Sequence, residues 1–193
     1  APGRQYSVYG IASDASGNAT SFILPFWGYN ANPAQLVINE IISAGSSTHP
    51  DAVEFFAVKG GQLAGMAFFV GLRGDYDRRY VFPPCVVEEG DYAVLHMKPQ
   101  GLDGELDETA DKAASSGLDS STGAWDFWYR QGDGSLPDKN GVLTLYLSPT
   151  GAIMDALAYS ERTSGSDERY AGFGTAVFRS EEHTSELQSP NTI

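Results

Sequence analysis

The sequence predicts an all-β protein, a β-sandwich, on three observations. Its apolar runs are short and rich in Val, Ile, Phe and Tyr; they recur at regular intervals; and Gly, Pro, Ser, Asn and Asp fill the gaps between them. Short strands joined by turns follow more readily from this pattern than long helices. A chain of 193 residues buries a real core and leaves one or two domains open.

The elements follow in order. Tyr6, Val8 and Ile11 mark a strand, Asp14 to Asn18 supply turn chemistry, and Phe22 to Phe26 make a second strand, so residues 6–30 read as a hairpin. A linker follows at Asn30 to Gln35. Strands are then expected at Leu36 to Ile42, Ala52 to Val58, Ala67 to Val70, Arg79 to Phe82 and Tyr92 to Met97. Alternation in Val53, Phe55, Ala57 and in Tyr92, Val94, His96 places these two sets inward, with Phe56, Ala93 and Leu95 implying partial cover on the second face. A long polar insertion occupies 98–140. A closing hairpin, Val142 to Leu147 and Ala152 to Tyr159, turns about Ser148-Pro149-Thr150-Gly151, where Pro second and Gly fourth favour a type I turn.

Charge and composition narrow the partners. The net charge of −13 opposes binding to phosphate backbones, where affinity comes largely from Lys and Arg, so no nucleic-acid partner is expected. An acidic surface also simply keeps a protein soluble. The single cysteine, Cys85, sits among apolar neighbours, reads as a small buried hydrophobe and excludes an intramolecular disulfide. No run of about 20 apolar residues predicts a membrane span. The chain begins at Ala1 without a charged-then-apolar leader, so a signal peptide, if encoded, is expected upstream.

Val37-Ile38-Asn39-Glu40-Ile41, Val53-Glu54-Phe55-Phe56, Tyr80-Val81-Phe82-Pro83, Glu89-Gly90-Asp91-Tyr92-Ala93-Val94-Leu95, Gly141 to Tyr146 and Asp155 to Tyr159 resemble, in order and spacing, the lamin tail domain (LTD) family. The resemblance covers 36 to about 160 and implies an immunoglobulin-like β-sandwich. Bacterial members look like noncatalytic modules of exported proteins. The sequence departs from the pattern where Phe55-Phe56 follows Glu54 in place of a second acidic residue, and in the long insertion. The stretch Gly10 to Asn18 is similar to the end of bacterial Ig-like repeats, which frequently close on an Asp-x-x-Gly-Asn turn.

The expected organisation is therefore 1–33, the C-terminal hairpin of a truncated Ig-like repeat plus linker; 34–165, an LTD-like sandwich with its insertion at 98–140; and 166–178, the start of a truncated following segment. Residues Arg179 to Ser189 resemble the in-frame translation of a sequencing-library adaptor, which sets 179–193 apart as an expected disordered artefact. Without that segment's one Arg and three Glu the balance is 11 cations against 22 anions, still acidic. The function expected is a noncatalytic interaction or spacer module of a larger secreted or cell-surface bacterial protein, with a protein or cell-envelope partner. The alternative is an accessory domain of an exported nuclease- or phosphatase-type hydrolase whose catalytic domain lies elsewhere.

Within the chain, Glu40 and Glu54 sit in neighbouring expected strands. A catalytic pair would need a shared water-accessible pocket and raised pKa values, whereas carboxylates near strand ends more commonly accept backbone N–H bonds. His49 in a loop and His96 at a strand end lack the spacing of a zinc site, and no Gly-x-Ser-x-Gly elbow is present. No catalytic residue, cofactor or metal is expected. The insertion's Asp103, Glu105, Asp107, Glu108, Asp111, Asp119, Asp126, Asp133 and Asp138 are hard oxygen donors that suit calcium, but the EF-hand spacing is absent and a solvated acidic loop is the plainer reading. Trp125, Phe127, Trp128 and Tyr129 offer aromatic faces to a sugar or protein, or else seal the open end of the core.

Overall fold

A computed structural model describes residues 1–160, which contain twelve strands and no helix. The segments 166–178 and 179–193, read above as a following segment and an adaptor translation, lie outside the described residues, as does 161–165. No helix among the described residues is long and apolar enough to cross a membrane.

Strands β1 (Gln5–Ser13) and β2 (Ala19–Trp27) form the expected antiparallel hairpin. Its turn is held by the Asp14 carboxylate, whose Oδ1 accepts the amides of Ser16 (2.8 Å) and Asn18 (2.9 Å), with Gly17 at φ +87°. The remaining strands build two four-stranded sheets. The first contains β3 (Gln35–Ile42), β4 (Ala52–Lys59), β9 (Tyr92–His96) and β10 (Ala124–Trp128) in the order β10-β9-β4-β3. The second contains β6 (Ala67–Leu72), β7 (Asp75–Val81), β11 (Asn140–Tyr146) and β12 (Ile153–Ser160) in the order β12-β11-β6-β7. Two-residue strands β5 (Gly61–Gln62) and β8 (Val86–Val87) pair beside them. The turn between β11 and β12 closes with Gly151 N–H donating to the Ser148 carbonyl at 3.0 Å, as the Pro-Thr-Gly order requires.

The sheets face each other across a packed interior. Leu36, Val53, Phe55, Ala93, Leu95, Met97 and Phe127 from the first meet Phe68, Val70, Tyr80, Leu143 and Leu145 from the second, all buried. Phe55 stands at the centre, edge-on to Phe68 and Phe82, each 5.6 Å away, and Phe82 meets Phe127 edge-on at 5.2 Å. Such offset aromatic contacts add to simple burial. Cys85 is buried with them; burial, then the charges of Asp91 and Glu108, push its thiol up to about 12.

Three expectations are corrected here. First, the inward set of β9 is Ala93 and Leu95, not Tyr92, Val94 and His96. The register pairs Val53 with Leu95 and Phe55 with Ala93, so these share the core face and the other set points outward. Second, 98–140 is not simply an inserted loop: it contributes β10, which pairs in parallel with β9, Ala124 opposite Tyr92 and Trp128 opposite His96. Trp125-Asp126-Phe127-Trp128 alternates as a strand does, and its β-forming aromatics gain more from the edge of the sheet than from solvent. Third, the insertion's acidic side chains are not uniformly solvated. Glu105, Glu108 and Asp126 are buried, because each accepts the amides of the loop that encloses it.

Candidate functional site

The outer face of the first sheet carries the chemistry. Between β3 and β4 the register slips at Ile38/Glu40, so Asn39 is bulged and Glu40 comes directly opposite Glu54. Glu54 is in turn opposite Val94, and Val94 opposite Asp126, while one row along Ile42, Ala52, His96 and Trp128 line up. The flipped β9 thus delivers His96 to this face rather than to the core.

Over this face fold two loops. The β3–β4 loop brings His49, whose Nδ1 lies 3.0 Å from Asp119 Oδ1 of the insertion, clasping the loops together. Asp119 has φ +62°, the left-handed region that a short polar side chain tolerates better than most. Beneath the clasp lies a cleft of about 290 Å³ lined by Glu40, Glu54, His49, His96 and Asp119, with Ile41, Ile42, Ala52 and Val94 as its apolar surface. Glu54 Oε1 accepts the Asn39 side-chain amide at 2.7 Å, so its tie is to a side chain beside it and not to the backbone amide expected of a strand-end carboxylate.

The cleft wall is held from behind. His96, only 4% exposed, pairs through Nε2 with Asp126 Oδ1 at 2.8 Å and stacks on Trp128, ring centroids 4.1 Å apart. The second Asp126 oxygen accepts Ser121 N–H at 2.9 Å, and the Asp126 amide donates to Glu108 Oε2 at 2.8 Å. Glu108 also accepts Ser115 N–H, and Glu105 accepts the amides of Gln100, Gly101 and Leu102. On the side of the loop clasp, buried Asp51 accepts Gly45 and Leu136 amides and faces Lys98 Nζ at 3.3 Å. These charge-assisted bonds fix the loops as a rigid rim.

Of the aromatic candidates, Phe127, Trp128 and Tyr129 are buried: Phe127 and Tyr129 in the interior, Trp128 under the insertion with its indole N–H on Ser115. Phe127 and Tyr129 thus pack into the core, while Trp128 covers the outer face of the first sheet beneath the insertion. Trp125 is half-buried, its Nε1 donating to Asp91 at 3.0 Å with Lys112 over its ring. Among the described residues no group of three or more His, Cys, Asp or Glu is arranged to hold a metal ion. Of the acidic residues in the insertion, Glu105, Asp107, Glu108, Asp111, Asp126 and Asp133 accept backbone amides, and Asp119 meets the His49 ring.

An all-β two-sheet sandwich with a rigidly rimmed, acid-lined cleft on one outer face is the class that fold and site define. Residues 34–186 match the profile of the TP_1001_2nd family, described as a protein second domain, and the chain belongs to that family. A relative in Treponema pallidum (strain Nichols), named only as an uncharacterized protein, is 32% identical over 159 residues, covering 81% of this chain and 39% of its own length. The chain therefore spans about two-fifths of the curated relative it matches.

Proposed function

We propose that the chain is a noncatalytic interaction module of a larger exported bacterial protein, of the immunoglobulin-like, lamin-tail type, and that it docks a cationic group in the cleft on its first sheet. The observation that carries this reading is the pairing of Glu40 directly opposite Glu54 in an open cleft. Like charges directly opposite on neighbouring strands destabilise a sheet. Asn39 relieves one oxygen of Glu54, and Asp119 adds a third carboxylate on the rim. A Lys or Arg side chain entering between the two glutamates, its alkyl stem along Ile42, Ala52 and Val94, offsets that repulsion. Placement outside the cell and a protein or envelope partner accord with this surface and belong to the same reading.

The test is the Glu40→Gln/Glu54→Gln pair. Removing the repulsion should raise unfolding stability by about 0.2–1 kcal/mol while weakening binding of a lysine-containing peptide. A loss of stability, or unchanged binding, would contradict the proposal. Two carboxylates on one cleft also meet the first requirement of a general acid–base pair. That second reading requires turnover of a substrate abolished by either single substitution, whereas docking requires only that affinity falls.

A further inference from the structure

The β1–β2 hairpin exposes apolar side chains on both faces, and among the described residues no strand pairs with either of its edges. One face alternates Tyr6, Val8 and Gly10 against Phe26, Leu24 and Phe22, with Tyr6 and Phe26 stacked at 5.5 Å and the Phe22 ring lying where a Gly10 side chain would stand. Val8, Phe22, Leu24 and Phe26 are between 42% and 57% exposed there. The opposite face intersperses Ser7, Ser13 and Ser21 with Tyr9, Ile11 and Ile23. The hairpin touches the sandwich chiefly at its base. Gly3 abuts Gly65 so closely that no side chain fits between them, and the Asn30 side-chain amide donates to the carbonyls of Gln62 and Ala64.

An isolated two-stranded hairpin is marginal in water, and a contiguous apolar patch on this scale marks a buried contact. The family match begins at residue 34, beyond the hairpin, and the family is described as a second domain. Most of the matched relative's length also lies outside the region shared with this chain. We propose that the hairpin is the terminal strand pair of a preceding β-rich first domain, whose core is closed by the Tyr6, Val8, Phe22, Leu24, Phe26 face. The Gly3–Gly65 and Asn30 contacts then form the joint by which that domain is seated on the sandwich. This inference is independent of the cleft, which lies on β3 and β4.

Amide hydrogen exchange of residues 5–27 tests it, comparing the full-length gene product with the 193-residue chain. The expected result is protection in the full-length protein at least about a hundredfold greater than in the shorter chain, with 36–146 protected alike in both. Leu24→Asp in the full-length protein should remove that protection, and Ile23→Asp should reduce it less, neither altering protection of 36–146. Equal exchange in the two proteins would overturn the proposal. Protection in the shorter chain that grows with concentration would overturn it in favour of a second copy. Indifference to Leu24→Asp would overturn the assignment of the core face.

Discussion

At the scale of the residue, carboxylates do most of the organising, and they do it by accepting backbone N–H groups. Asp14, Asp51, Glu105, Glu108 and Asp126 each hold loop amides that no strand pairing satisfies, and all but those at Asp14 are at least partly shielded from water. Stranding a buried amide costs about 1–3 kcal/mol. Glu108 is fully buried and satisfies two, so Glu108→Ala should lower unfolding stability by roughly 2–4 kcal/mol in denaturant titration, and Glu108→Gln, which retains an acceptor, by less. Tyr80 is the converse case. Its hydroxyl is buried with no well-formed hydrogen bond among the described residues, and burial, followed by the Asp107 charge and a marginal contact with that carboxylate, pushes its pKa well above the usual phenol range. Tyr80→Phe should therefore be neutral or stabilising by up to about 1 kcal/mol, where a satisfied tyrosine would show a loss.

At the scale of the element, the sheet edges are closed by side chains instead of further strands. The outward amides of β10, those of Asp126 and Trp128, donate to Glu108 and Asp107. On the opposite edge of the same sheet, Ile38 N–H of β3 donates to Asp155 of β12 at 2.6 Å. Burial holds the Asp155 carboxyl above its ordinary range, against the pull of the Ile38 and Ala156 amides. Blocked edges resist adventitious strand pairing. The insertion is further tied to the turn before β9 through Asp91, which accepts Lys112 Nζ (2.6 Å), Trp125 Nε1 and Glu88 N–H. Burial raises the Asp91 pKa, but those three donors outweigh it and the net shift is downward from 3.8. A depressed folded-state pKa means that this stability is fully present above pH 3.8 and is lost as pH falls through the folded value. Acid unfolding monitored by Trp fluorescence should accordingly lose part of its slope below pH 3.8 in Asp91→Asn, with the slope above that pH unchanged.

How much of this was readable without coordinates depends on the element. β3, β4, β11 and β12 carry short apolar runs between turn residues, so their positions follow from composition and periodicity. The face of β9 did not, because Tyr92-Ala93-Val94-Leu95-His96 is apolar enough on both faces to fit either register; only pairing with Val53 and Phe55 decides it. Met97, the next core residue, was the available signal. β10 was hidden by its surroundings, since its acidic flanks read as solvent-facing loop until their amide partners are seen. The cleft needed the bulge at Asn39, a one-residue slip that sequence periodicity does not specify, to bring Glu40 opposite Glu54.

At the scale of the whole molecule, the interior and the site are separate parts of the structure. The two sheets bury their aromatic core between them, while the cleft, its histidines and its carboxylates lie on the outside of one sheet under the insertion. Loops carried on a fixed scaffold are the common place for binding residues in sandwich proteins, and the rim of the cleft has that form. The hairpin stands apart from both, its apolar strand surface exposed and, on our proposal, covered by a first domain.

The most direct measurement of the cleft's role is an NMR titration of the chain with the tripeptides Gly-Lys-Gly and Gly-Glu-Gly at matched ionic strength. Docking of a cation gives saturable shifts on Glu40, Ala52, Glu54, Val94 and His49 with the lysine peptide alone, abolished in Glu40→Gln/Glu54→Gln. Shifts scattered over the acidic surface, equal for both peptides, or unaltered in the double variant would contradict a cation-docking cleft.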